Sequence, residues 1–282
     1  MSLISAAELA HALAEPVPEI PVVACDVRFY LNDHDQGARE YADGHVPGAR
    51  FVDLHGELAD VTRGGAGRHP LPTPQAFAAL LGRLGISPVT HVVAYDAAAG
   101  ATAARLWWML QAIGHARASV LDGGWSAWVA GGYAISATAP DIEPVDYPIP
   151  TADTWPGAVS ADEVAAAIAD DSAVVIDSRA PERYRGDAEP IDPRAGHVPG
   201  AVNVFHAANV GPDGTLLSVD ELAERFADVG TAPIVYCGSG VTACHNLLAM
   251  ERAGVRGARL YPGSWSEWSA DPARPVATGD EP

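Results

Sequence analysis

Short apolar runs alternate with longer amphipathic stretches along the whole chain of 282 residues. Runs such as PVVAC, HVVAY, AVVID and PIVY have the length and composition of buried strands, whereas ATAARLWWMLQAIG and VTACHNLLAMERAG are long enough for helices. Strands that alternate with helices in this way are typical of a parallel sheet that has helices on both faces. The pattern therefore predicts an α/β fold.

The same order of features occurs twice. Each copy opens with an S-x-x-E capping box, at Ser5 and at Ser160, which predicts the start of a short helix. An apolar run that ends in aspartate follows, and then the hexapeptide GHVPGA, at Gly44–Ala49 and again at Gly196–Ala201. A helix, a strand, a second helix and a turn that contains tryptophan complete each copy. This order indicates a tandem repeat, and therefore two similar domains.

A stretch rich in proline and acidic residues, 136–157, joins the two copies. Its composition predicts an extended segment without helix or strand. We therefore expect a first domain at residues 1–140, a linker at 141–157 and a second domain at 158–282.

Composition restricts the partners. The net charge is −19, with 36 acidic against 17 basic residues, and this argues against nucleic acid or an anionic membrane as a partner. No apolar run approaches the length that spans a bilayer, and MSLISAAELAHAL lacks the pattern of a signal peptide. We therefore expect a cytoplasmic protein. Three cysteines without a C-x-x-C pair predict neither a disulfide framework nor a zinc site.

The stretch YCGSGVTACH places a cysteine between a predicted strand and a predicted helix. Cys237 would then lie at the carboxyl edge of a parallel sheet, where such folds hold their active sites. Gly238 and Gly240 let the backbone turn its amides inward, and with Val241 and Thr242 at the helix start they would form an anion-binding nest. Such a nest stabilises a thiolate, so Cys237 is the candidate nucleophile.

The matching loop of the first copy begins with Asp96 in place of the cysteine, so thiol chemistry is absent from that half. Cys25 lies in an apolar run and is expected in the core. Packing is also the expected role of Cys244, with a resolving thiol as the alternative. Ala243 stands where a cysteine phosphatase needs arginine to grip phosphate, which argues against phosphatase activity.

The duplicated GHVPGA, the cysteine loop and the terminal GSWSEW resemble the two-domain rhodanese-like sulfurtransferases, over essentially the whole chain. The resemblance implies tandem rhodanese-like domains and a cysteine that carries sulfur as a persulfide. The loop from Cys237 to Ala243 is similar to that of the branch that uses 3-mercaptopyruvate. The branch that uses thiosulfate typically has basic residues just after the cysteine, and none stands here.

The same resemblance implies two groups of site residues. Arg183 and Arg194 match the pair of arginines that binds the carboxylate and keto oxygen of the substrate, whereas Arg185 is expected to be a surface charge. Ser239 and His45 match a proton-handling set.

The third member of that set would be Asp35, although Asp33 and Asp43 also lie close to the histidine in the sequence. A purely structural role for His45 is the alternative, because His197 occupies the same place in the second copy.

The resemblance thus implies an enzyme that moves sulfane sulfur from 3-mercaptopyruvate, through Cys237, to a small thiol, thioredoxin or cyanide, and that releases pyruvate. It implies no metal and no organic cofactor. Two alternatives stay open at this point. Thiosulfate could be the main donor, or the chain could be a rhodanese-like binding module without activity.

Overall fold

The computed structural model describes residues 2–282, which form two compact units. Unit 1 consists of the described residues of Met1–Ala59 together with Pro72–Pro156 and Val210–Leu216. Unit 2 consists of Asp60–Leu71, Gly157–Asn209 and Leu217–Pro282. Each unit contains one parallel β-sheet flanked by helices, so the predicted α/β fold is confirmed.

Unit 1 has a five-stranded sheet in the order β1-β5-β4-β2-β3, and every pairing is parallel. The strands are β1 Leu3–Ile4, β2 Val22–Asp26, β3 Arg50–Phe51, β4 His91–Tyr95 and β5 Ala118–Leu121. The helices are α1 Ala6–Ala14, α2 Gln36–Asp43, α3 Pro74–Arg83, α4 Ala103–Ala112 and α5 Gly124–Ala130. The core includes Leu9 of α1 and Trp128 of α5, which pack with Val93 and Tyr95 of β4.

Unit 2 repeats this plan with a four-stranded parallel sheet in the order β7-β6-β8-β9. The strands are β6 Val175–Asp177, β7 Ala201–Asn203, β8 Ile234–Tyr236 and β9 Arg259–Leu260. The helices are α6 Ala161–Ala169, α7 Pro181–Arg185, α8 Val219–Arg225, α9 Ala243–Arg252 and α10 Ser264–Trp268, with a 3₁₀ turn at His206–Asn209. Tyr236, Trp265 and Trp268 lie in the core of this unit.

Local signals in the sequence act as expected at the helix starts. The side chain of Ser5 accepts a hydrogen bond from the amide of Glu8, whose carboxylate in turn accepts from the amide of Ser5. Ser160 and Glu163 form the same reciprocal pair at the start of α6. Both predicted capping boxes are therefore present.

The aspartate that ends each repeated strand binds an arginine two residues later. Asp26 accepts a bidentate contact from Arg28, and Asp177 accepts the same contact from Arg179. Each guanidinium also lies over a tryptophan ring in the last helix of its copy, Trp125 of α5 and Trp265 of α10. The repeated aspartate is thus a buried anchor of each sheet edge.

The predicted linker does not stand apart from the units. Residues 141–156 belong to unit 1, where the Val145 amide donates to Gly82 O and the Trp155 indole donates to Pro72 O. Residues 60–71 of the first copy belong to unit 2, and 210–216 of the second copy belong to unit 1. The sequence shows the repeat, but these exchanges depend on packing that a local pattern cannot report. Among residues 2–282, no helix has the length and apolarity needed to cross a membrane.

Candidate active site

Cys237 directly follows β8 and precedes α9 by six residues, as the sequence predicts. Hydrogen bonds from the first two residues of α10 hold the loop: Ser264 Oγ accepts from the Cys237 amide at 3.1 Å, and the amide of Trp265 donates to Cys237 O at 3.0 Å. Cys237 is 2% exposed. The thiol therefore has a defined position at the carboxyl edge of the sheet, shielded from bulk solvent.

Gly240 has a positive φ of 74°, and a Cβ there would lie 2.5 Å from Pro262 O. Only glycine fits this position without moving the neighbouring backbone. In this conformation the Gly240 amide donates to Cys237 Sγ at 3.2 Å. The loop thus directs an amide at the sulfur, as the predicted nest requires.

The first copy shows what such a loop does with a fixed anion. The carboxylate of Asp96 accepts hydrogen bonds from the amides of Ala98, Gly100, Thr102 and Ala103 at 2.7–2.9 Å. The Thr102 hydroxyl adds a fifth contact at 2.9 Å. The strand-to-helix loop of the first copy therefore surrounds an anion with inward amides. The side chain of Asp96 is itself that anion.

The loop of unit 2 has a cysteine at this place and is one residue shorter before its helix. Val241 is buried, and Thr242 is the N-cap residue of α9, with no capping hydrogen bond from its side chain. The amides of Val241 and Thr242 would be the last two of the predicted anion-binding nest. Their role in binding substrate stays a prediction.

Ser239 Oγ lies 2.8 Å from His69 Nδ1, and both residues are buried. His69 belongs to the segment 60–71, which comes from the first copy but is part of unit 2. Sequence reasoning missed this histidine. One difference between the copies could have indicated it. The segment between GHVPGA and the N-cap of the next α-helix is longer in the first copy, from Ala49 to Thr73, than in the second, from Ala201 to Ser218.

Close backbone contacts fix the segment that carries His69. Gly67 has a φ of 90°, and a Cβ there would lie 2.6 Å from Gly263 O. The amide of Arg68 donates to Ser266 Oγ at 2.9 Å. The segment is therefore bound to the start of α10, which also holds Cys237.

The structure does not support the predicted role of His45 in handling protons with Ser239. Its Nδ1 lies 2.7 Å from Tyr41 O and its Nε2 3.2 Å from Thr138 O, so two backbone carbonyls engage both ring nitrogens. The ring stacks on Tyr41 and is fully buried. His197 makes the equivalent contacts in unit 2, with Tyr184 O and Glu281 O. These contacts favour the alternative, a structural histidine in each GHVPGA.

Asp35 is the third member of the predicted set. It is an exposed residue immediately before α2 in unit 1. Asp33 and Asp43, the alternatives, are exposed as well. The role of Asp35 in the site therefore stays a prediction.

Arg183 lies beside the cysteine loop, and its role in binding substrate stays a prediction. Its Nη1 is 3.6 Å from the position that a Cβ of residue 238 would occupy. Its Nη2 donates to Glu189 at 2.7 Å and to Asp192 at 3.0 Å. Burial disfavours the charged form of Glu189, but hydrogen bonds from Arg183 and from the Asp192 amide outweigh it and hold the pKa of that carboxyl below its ordinary value. The arginine is thus held in place by two buried carboxylates.

Arg194 has a different role from the one predicted. Its guanidinium donates to four backbone carbonyls, those of Trp268, Ser269, Asp271 and Arg274, at 2.6–2.9 Å. Four of its five N–H donors are therefore engaged by the chain that follows α10. Arg194 stabilises this segment of unit 2, and the structure gives no support to a role in substrate binding.

The other two cysteines are packing residues, as the sequence indicates. Cys25 is fully buried in β2, and burial raises the pKa of its thiol to about 12. Cys244 is buried in α9, where Sγ lies 3.4 Å from Gly240 O. All three cysteines are free thiols.

The chain matches the model of the rhodanese-like domain twice, at residues 5–131 and 160–271. These ranges contain both copies of GHVPGA and the cysteine loop.

Similar proteins align with nearly the whole chain. A probable 3-mercaptopyruvate sulfurtransferase of Pseudomonas aeruginosa is 43% identical over 99% of this chain and 98% of its own length. A putative thiosulfate sulfurtransferase, SseB, of Mycobacterium tuberculosis is 41% identical over 98% of this chain and 97% of its own. The crystal structure of SseA from Escherichia coli, described as a 3-mercaptopyruvate sulfotransferase with the rhodanese fold, has a TM-score of 0.79 and 33% identity. It matches 94% of this chain and 100% of its own.

Proposed function

This chain belongs to the rhodanese-like family and is an enzyme of the sulfurtransferase class, and from this premise we propose that its donor is 3-mercaptopyruvate. In this proposal Cys237 accepts the sulfur as a persulfide, and pyruvate leaves. The observation that carries the choice of donor is the contact of 2.8 Å between Ser239 and His69 beside the cysteine loop.

The argument depends on the bond that each donor breaks. When the Cys237 thiolate attacks the sulfur of mercaptopyruvate, an S–S bond forms and the C–S bond breaks, so its electron pair passes to the keto acid as an enolate. The methylene carbon must then gain a proton to give pyruvate. Thiosulfate instead loses sulfite, which departs with its electron pair and needs no proton. A hydroxyl that is hydrogen-bonded to a histidine at the loop serves the first reaction and has no task in the second.

The remaining residues fit the same reaction. Ser239 gives its proton to the methylene carbon, and His69 restores it. Arg183 supplies a planar, permanently charged donor to the keto acid beside Gly238. The loop amides stabilise the persulfide anion, as the amides around Asp96 stabilise a carboxylate in the first copy. This stabilisation keeps the persulfide on Cys237 until the acceptor attacks its outer sulfur.

In the second half-reaction a thiolate attacks the outer sulfur of the persulfide, and the Cys237 thiolate leaves. We propose a small thiol or reduced thioredoxin as the acceptor, with cyanide as a substitute in the assay. The cycle needs no metal and no organic cofactor. It also needs a reduced thiol at Cys237, which agrees with a cytoplasmic enzyme.

Thiosulfate is the second candidate donor, and two observations favour it. A relative that is 41% identical is named a putative thiosulfate sulfurtransferase. Two arginines, Arg68 and Arg183, also lie within 4 Å of the Cβ position of residue 238. However, buried carboxylates offset this charge, because Asp192 pairs with both arginines and Glu189 with Arg183.

The test is a steady-state assay of both donors with cyanide as the acceptor. We expect a higher kcat/KM with 3-mercaptopyruvate, and mass spectrometry of donor-treated enzyme should show one added sulfur on the Cys237 peptide. Cys237→Ser should abolish turnover of both donors without unfolding the protein. Equal or reversed values of kcat/KM would make thiosulfate the main donor. Persulfide on Cys25 or Cys244 alone would overturn the proposal.

A further inference from the structure

Two arginines lie over the cysteine loop, but only one was expected there. Nη2 of Arg68 is 3.1 Å from the position that a Cβ of residue 238 would occupy, closer than any atom of Arg183. Arg68 lies on the segment 60–71, next to His69. It therefore reaches the loop from the first half of the sequence, and it has no equivalent in the repeat pattern.

The two guanidinium groups differ in which of their N–H donors already have a hydrogen-bond partner. Arg183 uses Nε and Nη2 for Glu189 and Asp192, which leaves Nη1 on the side of the loop. Arg68 uses Nη1 for Asp192 Oδ1 at 2.7 Å. Its Nε is buried and has no hydrogen-bond partner among residues 2–282. Nη2 of Arg68 therefore lies at the loop, and Nε, on the same edge of the guanidinium, has a donor that no residue of 2–282 accepts.

That edge is the one with which an arginine binds a carboxylate through two parallel hydrogen bonds. Arg28 and Arg179 use the same edge for Asp26 and Asp177 in this protein. A buried N–H without a partner is costly, which favours an anionic ligand as the partner that completes the set. Asp192 holds Arg68 and Arg183 side by side, because it pairs with one through each oxygen.

We propose that Arg68 binds the carboxylate of the keto acid donor through its Nε–Nη2 edge, while Nη1 of Arg183 binds the keto oxygen. This inference rests on the proposed function and specifies how that site selects its donor. It gives Arg68 the role that the sequence predicts for Arg194, whose donors bind backbone carbonyls instead. The segment 60–71 then supplies the proton-handling histidine and the carboxylate-binding arginine from adjacent positions.

The experiment compares two donors that differ only in the carboxylate: 3-mercaptopyruvate and mercaptoacetone, in which a methyl group replaces it. The measured quantity is the rate of persulfide formation on Cys237 at low donor concentration. In Arg68→Ala we expect a fall of about 10- to 100-fold with mercaptopyruvate, from the loss of hydrogen bonds to a charged group, and a change within about threefold with mercaptoacetone. Arg68→Lys should stay impaired with mercaptopyruvate, since a point charge cannot reproduce the fork.

The matched control is Arg185→Ala, which removes a partly exposed arginine of α7 that pairs with Asp187. It should change neither rate by more than about twofold. Equal losses with both donors in Arg68→Ala and Arg68→Lys would show that Arg68 only supports the loop, and an unchanged rate with mercaptopyruvate would overturn the inference directly. Failure of the proposed function is distinct, because wild-type enzyme would then form little persulfide from mercaptopyruvate.

Discussion

Replacing His69 or His45 by alanine should produce opposite defects, although both histidines are buried and come from the first half of the chain. The ring of His69 contacts Ser239 Oγ at the cysteine loop. His45 bridges Tyr41 O and Thr138 O and stacks on Tyr41. The first change should therefore affect chemistry and the second should affect folding.

The magnitudes follow from these contacts. General acid–base catalysis by a positioned side chain contributes about 10²–10⁴ in rate, so His69→Ala should slow persulfide formation from mercaptopyruvate by a factor in that range. His45→Ala removes one hydrogen bond of about 1 kcal/mol, because a neutral imidazole donates from only one nitrogen, and a ring contact of about 0.5–1.5 kcal/mol. The expected loss in the free energy of unfolding is about 1.5–2.5 kcal/mol. His197→Ala removes the same set in unit 2 and should resemble His45→Ala.

Two measurements separate the variants. Single-turnover persulfide formation, followed by mass spectrometry of the quenched enzyme, reports the chemistry, and urea unfolding reports stability. Thiosulfate serves as an internal control, because sulfite leaves without a proton. His69→Ala should therefore retain most of its rate with thiosulfate. His45→Ala, assayed at a temperature where it is folded, should retain its rate with both donors.

The reasoning would be refuted by either of two results. One is a loss of less than about tenfold with mercaptopyruvate in His69→Ala, or an equal loss with both donors. The other is a folded His45→Ala enzyme with a defect as large as that of His69→Ala. In the second case the original prediction from the sequence would be restored, and the contact between His69 and Ser239 would have no catalytic meaning.

Three further predictions concern stability. Asp96→Asn places an amide group among donors that need an acceptor, so it should lower the free energy of unfolding by about 2–4 kcal/mol while persulfide formation is unchanged; equal stability to wild type would contradict the anion-nest interpretation. Arg194→Ala should lower stability by about 2–4 kcal/mol without raising KM for mercaptopyruvate, and a raised KM at full stability would return this arginine to the substrate site. Burial lowers the pKa of His91, His115 and His206 below the ordinary value of 6.5. Below that pH the unfolded chain therefore binds more protons than the folded chain, so the free energy of unfolding should fall as the pH drops from 6.5 towards 5. Urea unfolding at several pH values measures the slope, about 1.4 kcal/mol per pH unit for each histidine that changes charge, and His206→Gln should reduce it.

The sequence by itself determined the tandem α/β architecture. Short apolar runs bury on both faces of a sheet, and the capping boxes at Ser5 and Ser160 start their helices with contacts that lie within four residues. The position of Cys237 is of the same kind, because a strand, a glycine loop and a helix are consecutive in the chain. Interactions that are local in sequence leave a local pattern, so a pattern can predict them.

Only the tertiary structure decided which side chains meet the cysteine loop. His69 and Arg68 are about 170 positions from Ser239 and Gly238 in the chain, and the packing of segment 60–71 into unit 2 brings them together. Motif position instead suggested His45 and Arg194, whose polar atoms bind backbone carbonyls within their own units. The sequence does not distinguish a catalytic or substrate-binding histidine or arginine from a structural one. The role depends on which hydrogen-bonding groups the fold places within about 3 Å of the side chain. That information arises only when distant segments pack, and it is therefore absent from the local pattern of the sequence.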